Sequence, residues 1–319
     1  MKQVVVIGGG TGVFVVLSGL KEYPLYLSVI VATTDDGGSS GILREEFGIL
    51  PPGDIRRALT ALSSSAPLLS KLFCYRFKNG RGLRGHCFGN LFLTALERIT
   101  GSFEKALEEA GKILGIKGRV IPVTLKSAYL FAKLENGLIV KGERNIDIPK
   151  HDGNLFIKEV FLKPEVKANK EAIKAIKNAD LIVIGPGDLY TSIIPNFLVD
   201  GIKEAVKKSK AKKVYLCNIM TKFGETNRFT AEKFLAVLER YLGRGIIDYF
   251  VVNTERPEKN YLEKYKKEKA EPVAYDKKAL LSFQKPKTIF AKLLRKGPLL
   301  RHHPKKLAKA IVKLLNCDF

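Results

Sequence analysis

The order of apolar and polar positions predicts a parallel β/α protein. An apolar run at Lys2–Gly8 has the length of a buried strand, and a glycine-rich turn and an apolar helix to about Lys21 follow it. A second apolar run at Tyr26–Thr33 completes a βαβ unit. Strands connected in this way run parallel, and ligands bind at their carboxyl ends. We therefore expect a binding site at that edge of the sheet.

A β-rich insertion over 118–168 is predicted to interrupt the α/β order. Its strands are expected at 119–124, 128–134 and 138–142, with Asn136-Gly137 as a hairpin turn. Strands of the main sheet are then expected at 179–184, 214–219 and 247–253, and none from Glu255 onward. Helices are predicted over 55–64, 66–74, 89–99, 103–114, 170–177, 194–208, 230–242 and 305–315.

Charge adds one open question. The chain has 319 residues and a net charge of +23, and residues 255–319 hold 18 Lys and Arg against 7 Asp and Glu. Such a basic C-terminal extension can bind a polyanion, so nucleic acid is one candidate partner of the chain. Alternating Lys and Glu on predicted helices favour a solvated surface, and a Lys-rich composition without Trp fits a thermophilic origin. We rank nucleic-acid binding below this interpretation.

The apolar runs are short, and the first strand starts directly after Met1 without a signal-peptide pattern. We expect a soluble cytoplasmic protein with no membrane partner. Helices 194–208 and 229–242 offer faces through which it could form a homodimer.

The turn after the first strand has the composition of a phosphate-binding loop. Its glycines leave backbone N–H groups free at a helix N-terminus, where the helix dipole favours an anion. The dinucleotide fingerprint would need glycine where Val13 stands, so an ordinary NAD site is not predicted. A tight turn without a ligand is the alternative. The residues expected at phosphate are Gly9, Gly10, Thr11 and Gly12.

Thr33–Arg57 combines carboxylates, hydroxyls, glycines and arginines directly after the second predicted strand. Asp35 and Asp36 could bind a ribose or, as a pair, Mg²⁺; a polar turn is the alternative. Asp54 is predicted to cap the helix over 55–64. Ser39 and Ser40 are expected at the ligand, and phosphate charge could be neutralised by Arg44, Arg56 and Arg57.

Two later strands end in similar loops, and one further segment carries polar groups. Backbone amides and hydroxyls after the strand at 179–184 suit a diphosphate, although Ser192 could instead only cap a helix. Asn90 is a better ligand contact than His86, because its amide both donates and accepts hydrogen bonds. The further candidate residues are Gly185, Gly187, Asp188, Thr191, Ser192, Asn218 and Thr221.

These motifs resemble the YvcK-like branch of the YvcK/CofD family. The resemblance runs from residue 2 to about residue 315. It implies one domain over residues 1–319 with the CofD-like fold, a Rossmann-like three-layer α/β/α sandwich with a mostly parallel sheet. The motifs that carry it are GGGTG at 8–12, TTDDGGSSGILREEFGILPPGDIRR at 33–57, GHCFGN at 85–90, GPGDLYTSIIPN at 185–196 and CNIMTKFGET at 217–226.

The resemblance implies two alternative functions. YvcK-like proteins, the gluconeogenesis factors, bind UDP-sugars such as UDP-N-acetylglucosamine. They support cell-wall synthesis and cell shape during gluconeogenic growth, and have no established reaction or required cofactor. CofD proteins are 2-phospho-L-lactate transferases, which move a phospholactyl group from a GDP-type donor to a deazaflavin with Mg²⁺. In that alternative Asp35 and Asp36 would be the catalytic and metal residues.

The resemblance also assigns residues in the C-terminal extension. Tyr265, before the AEPV motif, and Arg301, before the last helix, would lie near the nucleotide-sugar. Asp188 departs from the family pattern, because serine is common there. An acid at this position implies either a metal or a ligand rotated in the site.

Overall fold

A computed structural model describes residues 1–297 and 299–316 of the chain. The strands in these residues are β1 (Lys2–Gly8), β2 (Leu25–Val31), β3 (Arg119–Pro122), β4 (Tyr129–Leu134), β5 (Ile139–Lys141), β6 (Ile157–Lys163), β7 (Leu181–Ile184), β8 (Lys212–Leu216), β9 (Tyr249–Asn253) and β10 (Lys287–Ala291).

The helices cover both faces of the main sheet. In chain order they are α1 (Gly10–Leu20), α2 (Gly38–Phe47), α3 (Gly53–Leu62), α4 (Pro67–Cys74), α5 (Phe88–Thr100), α6 (Phe103–Ile113), α7 (Glu143–Asp147), α8 (Lys170–Lys177), α9 (Ile194–Phe197), α10 (Ile202–Lys208), α11 (Ala231–Leu242), α12 (Lys259–Lys267), α13 (Lys277–Ser282) and α14 (Pro304–Asn316). A π-helical segment, Leu189–Ile193, precedes α9.

Seven parallel strands form the main sheet, in the order β10-β9-β8-β7-β1-β2-β3. The chain fills one side of the sheet from β1 through β2 to β3, then crosses to β7 and fills the other side. The order therefore reverses between β1 and β7, and the crevice outside the carboxyl ends of those two strands is the place where such sheets bind ligands. The predicted α/β/α sandwich is confirmed.

The core lies on both faces of this sheet. Alternate residues of each buried strand point to opposite faces, so Val4 and Val6 join one apolar cluster while Val5 and Ile7 join the other. The cluster that contains Val5 and Ile7 also contains residues of β4 and β6, so the insertion packs on the same core as the main sheet.

The small antiparallel sheet has the order β5-β4-β6, with the predicted hairpin turn between β4 and β5. The strand predicted at 119–124 was assigned to the insertion. In the structure this strand, β3, pairs with β2 at the edge of the main sheet. The structural unit inserted into the α/β order therefore begins after β3.

Two further predictions of secondary structure were wrong. A strand does follow Glu255, because β10 pairs with β9; its residues are partly exposed at the sheet edge, so it lacks a strong apolar run. The helix expected over 194–208 is broken between α9 and α10. Gly201 adopts φ +96°, and the backbone of Asp200 pairs with Val166 and Ala168 instead of continuing a helix.

Asp54 does not cap α3, whose N-cap is Pro52. The carboxylate lies in the first turn, where the helix dipole still favours a negative charge, and it binds elsewhere. In the part of the chain that the structure describes, no helix is long and apolar enough to cross a membrane.

The buried centre of the sheet predicts a large stability effect. Ile182 of β7 is fully buried, so Ile182→Ala should lower the free energy of unfolding by about 2–5 kcal/mol. Ile99 on α5 is 79% exposed, and Ile99→Ala should change it by less than about 0.5 kcal/mol. Urea unfolding of both variants measures the difference, and similar losses would contradict this placement of the core.

Candidate nucleotide-binding site

The loops after β1 and β7 pack backbone against backbone at the point where the strand order reverses. A Cβ added to Gly12 would lie 2.0 Å from the carbonyl oxygen of Pro186. No side chain fits in that gap, so the glycine is required by the close approach itself. Asn218, after β8, hydrogen-bonds both the N–H and the carbonyl of Gly187, at 3.2 and 2.9 Å. Three predicted loops therefore form one surface.

Asp54 joins α3 to this surface. Its Oδ2 accepts a hydrogen bond from the Gly10 N–H at 2.8 Å, and its Oδ1 lies 3.2 Å from Arg57. Gly9 packs so closely that an added Cβ would lie 2.5 Å from the same carboxylate. This long-range bond fixes the position of the turn after β1 relative to the segment that follows β2.

Two cavities open on the surface of the three loops, and they meet. The larger has a volume of about 350 Å³ and the smaller about 170 Å³; Thr11 and Asp188 line both. Together they form an elongated cleft across the junction of β1 and β7. Its dimensions are in the range of small-molecule sites.

The structure brings most of the predicted residues into this cleft. In the larger cavity are Gly10, Thr11, Asp35, Ser39, Ser40, Asn90, Asp188 and Ser192, together with Arg56 and Arg57. In the smaller cavity are Thr11, Gly12, Gly187, Asp188, Asn218 and Arg301.

Some predicted residues support the cleft from outside. Asp36 accepts a hydrogen bond from the Arg144 backbone N–H at 2.9 Å, so it holds the insertion. Thr191 donates to buried Glu225 at 2.9 Å. The hydroxyl of Thr221 accepts from the Glu271 N–H at 3.0 Å. These three side chains form hydrogen bonds with other groups of the protein.

Three more predicted residues, Gly185, Gly9 and Tyr265, shape the cleft through their backbone or through the segments that they contact. Gly185 makes the turn after β7 with φ +71°, ahead of a cis peptide to Pro186, and Gly9 packs on Asp54. The Tyr265 hydroxyl accepts the Leu300 N–H at 2.9 Å, which positions the loop that carries Arg301.

Arg44 was expected to face phosphate, and that expectation was wrong. Its guanidinium stacks on the Tyr129 ring, 3.8 Å from the centroid, and donates to Ser127 and Ala128 at 2.7 Å. It therefore ties α2 to the insertion. The neighbouring arginines, Arg56 and Arg57, do line the cleft.

One end of the cleft is built from a connected polar network. The Ser39 hydroxyl lies 3.2 Å from both His86 Nδ1 and Asn90 Nδ2, and Asn90 Oδ1 accepts from Arg56 Nε at 3.0 Å. His86 thus orients Ser39 and does not line the cavity itself. Arg76 adds a further cation at this end.

The insertion contributes residues to the cleft that the sequence motifs did not indicate. Helix α7 brings Glu143, Arg144 and Asp147 to the wall of the larger cavity, more than 80 positions after Asp54. Lys222, which lies in the loop after β8, joins the same wall. Lys222 is part of the CNIMTKFGET motif at 217–226, so the sequence offered a signal for it. No local pattern marks Glu143.

Five carboxylates and five cationic side chains line the larger cavity. Burial raises the pKa of Glu143 to about 9, and the nearby Asp35, Asp54 and Glu225 reinforce the shift. Burial also raises the pKa of Asp54 and of Asp188, and Glu225 adds to the shift at Asp188. Glu143 can therefore hold a proton at neutral pH.

Lys222 lies among three of the acids. Its Nζ contacts Asp147, is 3.0 Å from Asp188 and is 3.8 Å from Glu225. The three carboxylates have oxygen atoms within 4.8 Å of one another, a spacing that could hold a metal ion. The ammonium already supplies positive charge there, so a metal would have to displace it.

Residues 4–294 of the chain match the family described as 2-phospho-L-lactate transferase CofD. The chain belongs to the CofD family. A crystal structure of a UPF0052 family protein from Bacillus halodurans superposes with a TM-score of 0.93 at 46% identity, covering 98% of this chain and 100% of that one. The fold of the family and the fold described above are the same.

Two relatives place the chain within the family. It is 46% identical over 313 residues to a gluconeogenesis factor of Halalkalibacterium halodurans, covering 98% of this chain and 96% of that protein. It is 44% identical over 320 residues to the gluconeogenesis factor of Bacillus subtilis, covering 98% of both. The predicted membership in the YvcK-like branch of the CofD family is confirmed.

The protonated state of Glu143 should be visible in the pH dependence of stability. Its folded pKa of about 9 exceeds the ordinary value of 4.5, so between these values the folded protein binds more protons than the unfolded chain. The free energy of unfolding should therefore fall as the pH rises through this window. Glu143→Gln should reduce the fall, which urea unfolding from about pH 5 to about pH 9 measures.

The matched control is Glu46→Gln, which removes an acid from an exposed position on α2. This variant should keep the wild-type pH dependence. Asp54 and Asp188 remain in both variants, so the slope of Glu143→Gln should decrease without vanishing. An unchanged slope in Glu143→Gln would show that Glu143 does not hold a proton in the folded protein.

Proposed function

We propose that this protein binds a nucleotide-diphosphate sugar, with UDP-N-acetylglucosamine as the first ligand to test, and acts as a regulatory binding protein. The observation that carries the proposal is the pair of cavities that meet at Thr11 and Asp188. An elongated ligand with a polar group at each end and phosphates in the middle matches that arrangement. The resemblance to gluconeogenesis factors supports the choice of a UDP-sugar.

The phosphates would lie where the two cavities meet. Helix α1 begins at Gly10, so the N–H groups of Thr11 and Gly12 are in its first turn, where they have no intrahelical acceptor and the dipole favours an anion. Asp188 stands at this junction. The Lys222 ammonium 3.0 Å away compensates its negative charge, which lets it coexist with a diphosphate.

The base would occupy the smaller cavity. Asn218 and Arg301 offer amide and guanidinium groups to its polar edge. His302 also lines this cavity, and burial lowers its pKa to about 4, so it is neutral at physiological pH. A narrow cavity with neutral and cationic donors favours a single-ring base with carbonyl acceptors, which is the chemistry of uracil.

The sugar would occupy the larger cavity. Asp35 reaches it from the end of β2, and Asn90 and Ser39 reach it from the opposite wall. Carboxylate, amide and hydroxyl groups together can donate and accept the hydrogen bonds that sugar hydroxyls need. The proposed cellular role, support of cell-wall synthesis and cell shape during gluconeogenic growth, rests on the resemblance alone.

A transferase of the CofD type is the second candidate, and the concentration of acids in the cleft favours it. A divalent cation bound to carboxylates would neutralise a diphosphate while an acceptor hydroxyl attacks. Asp35 lines the cavity, but Asp36 is hydrogen-bonded to the insertion, so the pair presents one cleft carboxylate. Mg²⁺ shared by Asp35 and Asp36 stays a prediction.

Arg301→Ala should weaken the binding of UDP-N-acetylglucosamine. Loss of a charge-assisted contact in the smaller cavity costs about 1.5–3 kcal/mol, or roughly 10- to 150-fold in affinity. Isothermal titration calorimetry measures the affinity, and titration with UDP and GDP tests the assignment of the base. Wild-type protein that gives neither heat nor a thermal shift with millimolar UDP-N-acetylglucosamine would refute the proposal.

Arg295→Ala is the matched control. Arg295 is exposed, precedes Arg301 in the same loop and bonds to it only through its backbone N–H, which alanine retains. Its side chain lines neither cavity, so the affinity should stay at the wild-type value. Equal losses in both variants would indicate a general effect of charge and not a contact at the base.

The transferase candidate is tested by incubating the protein with a deazaflavin, the GDP-type phospholactyl donor and Mg²⁺. Turnover should release GMP, which chromatography detects, and Asp35→Asn should abolish it because a carboxylate ligand of the metal is lost. Absence of GMP from the wild-type protein removes this candidate. A tight UDP-sugar complex in the same preparation would show that the protein is folded and able to bind.

A further inference from the structure

A further cavity lies behind the π-helical segment that lines the cleft, between α11 and the start of β6. Its volume is about 470 Å³, within the range of small-molecule sites. It is not part of the cleft, because the two share no lining residue. We call it the rear cavity.

The charged groups around the rear cavity are all cationic. They are Lys158, Arg228, Lys233 and Arg240, and no Asp or Glu is among the described residues that line it. None of the four has a carboxylate within 4.0 Å among residues 1–297 and 299–316. Arg240 donates hydrogen bonds to the Lys158 carbonyl and the Tyr241 hydroxyl, and the Lys233 ammonium lies 5.8 Å from the centroid of the Phe229 ring. Four cations without a carboxylate partner on one cavity leave a site for an anion.

Most of the other residues that line the rear cavity are apolar or aromatic; Asn227 and Thr230 are polar. Phe229, Val237 and Ile157 are buried at its base, and Phe156 is 43% exposed at its edge. Buried aromatic and aliphatic side chains hold the carbon part of a ligand, while a few charged groups fix its orientation. The combination suits an anion that carries an aromatic or acyl group, and does not suit a free inorganic ion.

One rim residue has an unfavourable backbone conformation. Arg228 adopts φ +57°, a region that residues with a side chain rarely occupy. Neighbouring Asn227 holds the turn, because its Oδ1 accepts the Gly224 N–H at 2.9 Å and its Nδ2 donates to the Gly153 carbonyl. The turn projects Arg228 beside the cavity, and strain of this kind is concentrated at binding sites.

The rear cavity touches the segment that forms the cleft. Tyr190 lines it and belongs to Leu189–Ile193, which also contains the cleft residue Ser192. The Tyr190 N–H donates to Glu225 at 3.1 Å, and Glu225 lies 3.8 Å from Lys222 in the cleft wall. A ligand in the rear cavity would therefore contact the segment that also lines the cleft.

We propose that the rear cavity binds an organic anion with an aromatic or acyl body, separately from the nucleotide cleft. The cations on its rim bind the acidic group, and the apolar base binds the carbon body. This site does not depend on the proposed nucleotide ligand, since none of its lining residues belongs to the cleft.

The probe is 8-anilinonaphthalene-1-sulfonate, an aromatic sulfonate whose fluorescence rises in apolar surroundings. The chain contains no Trp, so its own fluorescence interferes little. Wild-type protein should bind the probe saturably, and Lys233→Glu should weaken binding about tenfold, the effect of one lost charge-assisted contact. Lys233 is three residues after the Thr230 N-cap, where glutamate favours the helix, so this variant should fold.

Lys309→Glu is the control, because it makes the same charge change at an exposed position on α14, outside the rear cavity. Binding by Lys309→Glu should equal that of the wild type, and circular dichroism should show all three proteins folded. Absence of saturable binding to the wild type would overturn the proposal. So would equal affinities of the two variants, since overall charge would then explain any change.

Discussion

The structure depends on the backbone contact between the loop after β1 and the loop after β7. Gly12 faces the Pro186 carbonyl at a distance that excludes any Cβ, and Asn218 bonds both backbone groups of Gly187. The strand order brings these loops together, since β1 and β7 are neighbours although they are far apart in the chain. Every cavity in the proposed site borders this contact, so a shift of either loop would close the cleft or open it.

Charges of both signs are concentrated in the cleft. The larger cavity brings together five acids and five cations, which are Asp35, Asp54, Glu143, Asp147 and Asp188 with Arg56, Arg57, Arg76, Arg144 and Lys222. Burial and mutual repulsion raise the pKa of Glu143, and Lys222 compensates Asp147 and Asp188. The proposed phosphate site therefore lies beside carboxylates whose charge is already compensated by Lys222.

The segment Leu189–Ile193 connects the two proposed sites. Its two faces line different cavities, because Ser192 lines the cleft whereas Tyr190 lines the rear cavity. Glu225 holds both Tyr190 and Thr191 from within the core. Ligands in the two cavities would thus contact one short element, and an effect of one on the affinity for the other would be reciprocal.

The sequence alone determined most of the strands and the glycine loops at their ends, because strand periodicity and glycine turns are local properties. It therefore predicted the parallel sheet, the glycine loops and the place of Asp35, Asn218 and Arg301, the last through family resemblance. Tertiary structure decided the rest. Glu143 enters the cleft through the packing of the insertion, Arg44 is drawn away by Tyr129, and Asp54 bonds Gly10 instead of capping α3. Such partners are distant in sequence, so only the folded chain selects them.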